Sequence, residues 1–433
     1  MNLTDTVFVR EFRENWPILI TAFLCMFFAF SPPGQFMPIL YGSVIDEFGW
    51  TREQATLLAS AKYATGSVFA ILAGRFIDVI GVRYGLIVAS AIGGIGMILF
   101  IWVDGLSFYY FAGFLFGVAA PSTMVAIKVM ISRTFHAGQG TAMGFALLGA
   151  TLGAAVVPVV YYQLILGYGW RLGTALMSSG IWVIALPLLI FFYRGRSAKQ
   201  EAQRSIENDT AEAKAEAAAK RAADRKEVWS LMRTRPFWLI FIAVFSAAFV
   251  DQGFIQHSFL YLTEDLSLDG TYVSVALGAI GLIGIAARVG VGGFFDALSS
   301  KGVSISYLTL TASALLALAA LNPVILWLFV VFRAVAHAAV LLDTTVLAKH
   351  TFGMKNLGLL LGIFTAAVNL GFMSGPWVIA RMYDASGSYT FPFLVCVGVS
   401  LFAAAILLPL KPTFWLEMRA KNREVAATET ART

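Results

Sequence analysis

The chain has 433 residues, of which 59% are hydrophobic and only 13% charged, with a mean hydropathy of +0.78. Soluble domains sit nearer half apolar and a quarter charged, so this composition excludes an ordinary soluble globular protein. The formal charge is +6, too small to argue for nucleic acid as a partner.

The apolar excess falls into runs of about 20 residues, the length that spans a hydrocarbon core. Twelve runs are expected: 17–42, 54–79, 84–103, 108–132, 140–166, 172–194, 236–263, 272–295, 303–321, 325–349, 356–383 and 389–410. With the N-terminus inside, the outer loops carry only Arg52 and Arg171, with Arg381 near the border, and nearly all other Lys and Arg fall inside. That is the positive-inside pattern. It predicts a multi-pass protein of the plasma (inner) membrane with both termini cytoplasmic. Arg10 and Arg13 precede the first run, but no cleavage site ends a short apolar core, so the first span is read as retained. Cys25 and Cys396 both lie inside spans and make no disulfide framework. Neither a metal-ligand spacing nor a nucleophile–base pair is present, so no cofactor and no enzyme activity are expected.

Span 1 contains Ser31-Pro-Pro-Gly-Gln35, a break tolerated at membrane depth only where protein or a cavity satisfies the freed backbone groups. Gln35 is therefore a candidate cavity residue, with a packed kink as the alternative. Thr51 and Gln54 form a capping-box pattern that opens span 2. Lys62 lies ~12 Å along that helix, where it either snorkels to the headgroups or lines the cavity mouth. Span 5 repeats small residues at Gly140, Gly144, Gly149 and Gly153, which allows close helix packing. Lys128, low in span 4, reads as an ordinary inner-end lysine.

A charged, alanine-rich stretch then separates two halves. The organisation is an N-terminal six-helix half over 1–195, a cytoplasmic linker over 196–235, a C-terminal six-helix half over 236–411 and a cytoplasmic tail over 412–433. The second half repeats the first. Gly74, Asp78 and Arg83 recur as Gly292, Asp296 and Lys301, and Gly140, Gly144, Gly153 and Pro158 recur as Gly358, Gly362, Gly371 and Pro376, every pair 218 apart. The expected fold class is an all-α membrane protein, twelve transmembrane helices in two six-helix pseudo-symmetric halves.

The rare ionisable residues inside spans are the functional candidates. Arg288 sits in the glycine-rich span 8, and its repeat equivalent at position 70 is alanine. A guanidinium does not deprotonate, so it faces the interior or a watered cavity. It is either a structural cation or the anchor of a transported anion. Asp251 and His257 share span 7, ~120° apart on a regular helix. Either is a proton carrier, or Asp251 is the counter-charge of Arg288. Span 10 adds Arg333, His337 and Asp343, read as an internal ion pair. Asn369 is the mid-span polar residue of span 11.

The loop Gly74-x-x-x-Asp78-x-x-Gly81-x-Arg83 resembles the loop between helices 2 and 3 of the major facilitator superfamily. The resemblance implies gating roles for Gly74, Asp78 and Arg83 and for their equivalents Gly292, Asp296 and Lys301. Four stretches narrow it further: Phe48-Gly-Trp-Thr-Arg52, Gly169-Trp-Arg171, Gly375-Pro376 leading to Tyr383-Asp-Ala-Ser-Gly-Ser-Tyr389, and Ala287-Arg288 leading to Gly292-x-x-x-Asp296. They resemble the monocarboxylate transporter branch with its oxalate–formate antiporter relatives. In that branch the span-8 arginine binds the substrate carboxylate, a role that falls on Arg288. Two departures stand out: Gly284 replaces an acid, and span 11 has no lysine between Lys355 and Arg381.

The expected function is secondary transport of a small organic anion, most simply a monocarboxylate, coupled to protons, by a chain that works as a monomer in the lipid bilayer. Arg288, Gln35, Lys62, His257 and Asn369 are the expected substrate contacts, and Asp251 and His257 the coupling residues. The alternatives are a drug or amphiphile exporter, a dicarboxylate antiporter of the same fold, or a non-transporting membrane sensor. No phosphate-binding loop supports ATP drive.

Overall fold

The computed structural model describes residues 7–135, 138–192, 227–319, 322–354 and 357–420. They form helices joined by short turns: α1 (Val7–Cys25), α2 (Pro32–Gln35), α3 (Met37–Phe48), α4 (Arg52–Ile80), α5 (Val82–Ile98), α6 (Leu106–Thr134), α7 (Gln139–Met177), α8 (Arg235–Leu260), α9 (Gly270–Leu298), α10 (Ser300–Leu318), α11 (Pro323–Phe352), α12 (Leu357–Ser386) and α13 (Thr390–Ile406). Among the described residues nine helical stretches are long and apolar enough to cross a bilayer. One of them, Gln139–Phe191, holds two expected spans, divided at Gly169 where φ is +74°. Helix α4 and the shorter α13 complete the twelve.

The break in the first span is built by its prolines. A widened turn over Met26–Phe30 ends with the Ser31 amide donating to the Met26 carbonyl at 3.2 Å. Pro32 and Pro33 then open α2, and Pro38 sits in the first turn of α3, positions where a missing N–H costs nothing. The start of α4 follows the capping rule: the Gln54 amide donates to Thr51 Oγ1 at 3.1 Å, and the Thr51 amide donates to Gln54 Oε1 at 3.0 Å.

The repeat reappears in the backbone. Positive φ occurs at Gly49 and Ser267, at Gly81 and Ser299, and at Gly169 and Gly387, three pairs each 218 apart. The same left-handed turns join equivalent helices in both halves, and at two of them the second half uses serine, which lacks glycine's freedom. Packing repeats as well. A side chain at Gly153 of α7 would meet the Phe27 carbonyl, and one at Gly371 of α12 would meet the Phe245 carbonyl, again 218 apart.

The described residues fall into two compact units. One gathers the described residues up to Phe192 with Ile255–Ile285 and Pro376–Ser388; the other gathers 227–254 with Ala286–Gly375 and the residues from Tyr389 on. In the first, α4 and α5 pack on α6, and α7 packs on α1. In the second, α10 packs on both α11 and α13. The expected linker, 196–235, lies mostly outside the described residues.

Candidate functional site

Among the described residues, three of the polar constructions within the apolar packing bear on the expected site residues. The first lies in the second unit, on α8 and α11. Asp251 and Arg333 are fully buried and form an ion pair between Oδ1 and Nη2. The same Nη2 donates to the Asp251 main-chain carbonyl at 2.8 Å, which holds the guanidinium on both groups of one residue. His337, one turn beyond Arg333, presents Nδ1 3.0 Å from Asp251 Oδ2 and 3.2 Å from Oδ1. The Phe254 ring lies 5.9 Å from the guanidinium carbon. A buried carboxylate shared by two basic partners is a neutral or singly positive unit, stable in an apolar interior only while both partners stay. Asp343 does not join it. Its carboxylate accepts from the Tyr307 hydroxyl of α10 at 2.5 Å and from the Thr344 hydroxyl at 2.8 Å.

The internal pair expected within α11 thus forms between α11 and α8. Helix α8 runs through Gly253 without a break, so Asp251 and His257 keep to different faces. His257 is fully buried in the first unit with Nε2 2.9 Å from the Pro376 carbonyl of α12. In the second unit, Arg288 is partly exposed, more than two turns from either end of α9, and Asn369 is partly exposed on α12.

The second construction is the broken first helix. Lys62 of α4 reaches it: a side chain at Gly34 would lie 2.5 Å from Lys62 Nζ, so the glycine leaves room for the ammonium beside Gln35. Lys62 Nζ also lies 5.0 Å from the centre of the Tyr63 ring. Lys62 thus reaches the broken helix at residue 34, next in sequence to Gln35.

The third construction was not singled out as a site by the sequence. It lies at the Arg52 end of the first unit. Asp384, in the last turn of α12, accepts from the Arg52 amide at 3.1 Å and the Glu53 amide at 2.9 Å, so its carboxylate sits on the N-terminus of α4. Arg52 pairs with Glu264 at 2.6 Å, donates to the Tyr383 hydroxyl at 3.0 Å and stacks 3.8 Å over that ring. Trp377 Nε1 donates to Glu53 at 2.6 Å, and Tyr41 donates to Gln256 at 2.9 Å. Nearby, Trp170 Nε1 donates to Glu47 at 2.7 Å and Arg171 pairs with the same carboxylate. Three of the resembling stretches, 48–52, 169–171 and 383–389, meet here. The signal was their clustering of charge and aromatic residues at span ends.

The expected gating residues lie where α4 meets α5 and where α9 meets α10. A side chain at Gly74, Gly140, Gly144, Gly292, Gly358 or Gly362 would meet no described atom within 4 Å. Arg83 donates to the Leu189 carbonyl at 3.2 Å and to the Ile190 carbonyl. Asp296 and Lys301 are exposed side chains, and the side chain of Asp78 lies outside the described residues.

Comparison with solved structures gives the fold. A structure of a variant of the nucleoside transporter NupG aligns with TM-score 0.76 at 13% identity, covering 91% of this chain and 99% of that one. The peptide transporter POT in complex with sulfate aligns with TM-score 0.69 at 15% identity, covering 92% and 94%. No curated protein sequence matches. The family model described as Major Facilitator Superfamily matches residues 18–340, about three quarters of the chain. Helix content, internal repeat and family match agree, and the chain belongs to the Major Facilitator Superfamily.

Proposed function

We propose that this chain is a secondary transporter of a small carboxylate, most simply a monocarboxylate, moved by alternating access and coupled to protons. The observation that carries the reading is Arg288. Of the two arginines deep in the spans described above, Arg333 is fully buried and held by Asp251, whereas Arg288 keeps partial exposure on α9, as a group reached from a cavity must. A planar guanidinium offers two parallel donors that match one carboxylate. Asn369, on α12 in the same unit as Arg288, supplies a further polar contact for the cargo. The latch at Arg52 and Asp384, on the outer side by the positive-inside pattern, closes one face. The glycines at the other ends of α4, α7, α9 and α12, with no described atom within 4 Å of an added side chain, leave each of those helix ends room to move during alternating access.

Counterflow in proteoliposomes tests the reading. Purified protein loaded with unlabelled formate, acetate, lactate or benzoate exchanges for the labelled compound, and monocarboxylates compete better than malate or succinate. Exchange of cationic or neutral amphiphiles in preference to every carboxylate would contradict it.

A further inference from the structure

We propose that His337 takes up the coupled proton at its Nε2, with Asp251 and Arg333 as fixed support. This assignment rests on the proton-coupled reading above and names the residue responsible. Nδ1 of His337 faces both oxygens of Asp251, at 3.0 and 3.2 Å, so Nδ1 carries a hydrogen whether the ring is neutral or charged. In the neutral ring Nε2 is then the acceptor. The His337 side chain keeps 25% exposure, while Asp251 and Arg333 keep none. The ring is therefore the member of the trio that a proton reaches, and its far side is the side that accepts.

The neighbouring ionisable groups are otherwise engaged. Asp251 comes from α8 and Arg333 from one turn earlier on α11, and they neutralise each other. Gln252, beside Asp251 on α8, lies with Nε2 3.5 Å from its carboxylate. Asp343, farther along α11, is turned to Tyr307 of α10 and to Thr344. His257 of α8 is fully buried with Nε2 on a carbonyl, and His350, near the end of α11, has Nδ1 2.9 Å from the Ser299 hydroxyl.

Charge balance follows. The trio is neutral with a neutral ring and singly positive once Nε2 binds a proton. A monocarboxylate on Arg288 subtracts one charge while the proton on His337 adds one. Empty and fully loaded carriers then bear the same charge, and transport is electroneutral, one proton per anion. No bond to cargo forms or breaks.

The test separates the proton role from a structural one. In His337→Asn the side-chain amide still donates to Asp251 but the Nε2 acceptor is gone; His350→Gln, near the end of the same helix, is the comparison. Wild type and both variants are reconstituted, and pH-driven accumulation and counterflow are measured with labelled formate, acetate, lactate and benzoate. Wild type accumulates its best substrate about tenfold per unit of pH gradient. His337→Asn exchanges within about twofold of wild type yet loses accumulation at least tenfold, and His350→Gln retains both. Accumulation retained in His337→Asn, or exchange lost along with it, overturns the assignment and leaves the carboxylate reading standing. A wild type that exchanges none of the four compounds overturns the carboxylate reading, and this assignment falls with it.

Discussion

Asp251 shows how much of a buried charge's meaning lies in its partner. Removing one member of a buried ion pair leaves the other uncompensated, at a cost of ~3–5 kcal/mol. Asp251→Asn is therefore expected to lower the melting temperature sharply, and the double change Asp251→Leu with Arg333→Met to recover much of the loss. Thermal melts in detergent check both; a double variant no more stable than Asp251→Asn would contradict the pairing. The sequence made Asp251, Arg333 and His337 conspicuous, because ionisable residues inside spans are rare. It did not say which pairs with which, since the Asp251–Arg333 contact joins residues 82 apart and depends on how two helices are rotated. Lys62 is similar: its type was legible, its approach to Gly34 was not, because the path of the broken helix sets it.

At the scale of elements, the repeated glycines divide into two populations that spacing alone does not distinguish. Gly149, Gly371 and Gly375 face neighbouring backbone, and Gly153 the Ser31 side chain, so closely that an added side chain collides. Gly144 and Gly362 have no described atom within 4 Å of an added side chain. Gly153→Leu and Gly371→Leu are accordingly expected to fold poorly. Gly144→Leu and Gly362→Leu are expected to fold and melt like wild type while losing transport, because the added bulk blocks closure. Normal transport in the latter pair would refute the closing role. The latch gives a second expectation. Asp384→Ala removes an N-terminal cap of α4 and is expected to cost ~1 kcal/mol of stability. The capping box at Thr51 and Gln54 was readable from sequence because both residues are local. The cap from Asp384 was not, because it arrives from a helix more than 300 residues away.

For the whole molecule, the span count and the two-fold repeat were legible because the bilayer imposes length and duplication leaves a constant offset. Helix ends were less so: α4 begins at Arg52 and α7 continues to Met177, since helices run past the apolar core into polar ends. Deleting 200–222, which lies outside the described residues, is expected to leave transport nearly unchanged, because its alanine-rich composition supplies no apolar face to dock. A folded but inactive deletion would assign that segment a function.

The most direct test of the carboxylate reading is Arg288→Gln, measured for monocarboxylate affinity and melting temperature on the same preparation. Losing a charge-assisted two-point contact is expected to cost about 2–4 kcal/mol, or ~30- to 1000-fold in affinity, with the melting temperature near wild type. Arg288→Lys, which keeps charge without the fork, is expected to retain weak binding. A destabilised Arg288→Gln protein whose folded fraction binds the carboxylate with wild-type affinity would contradict the account.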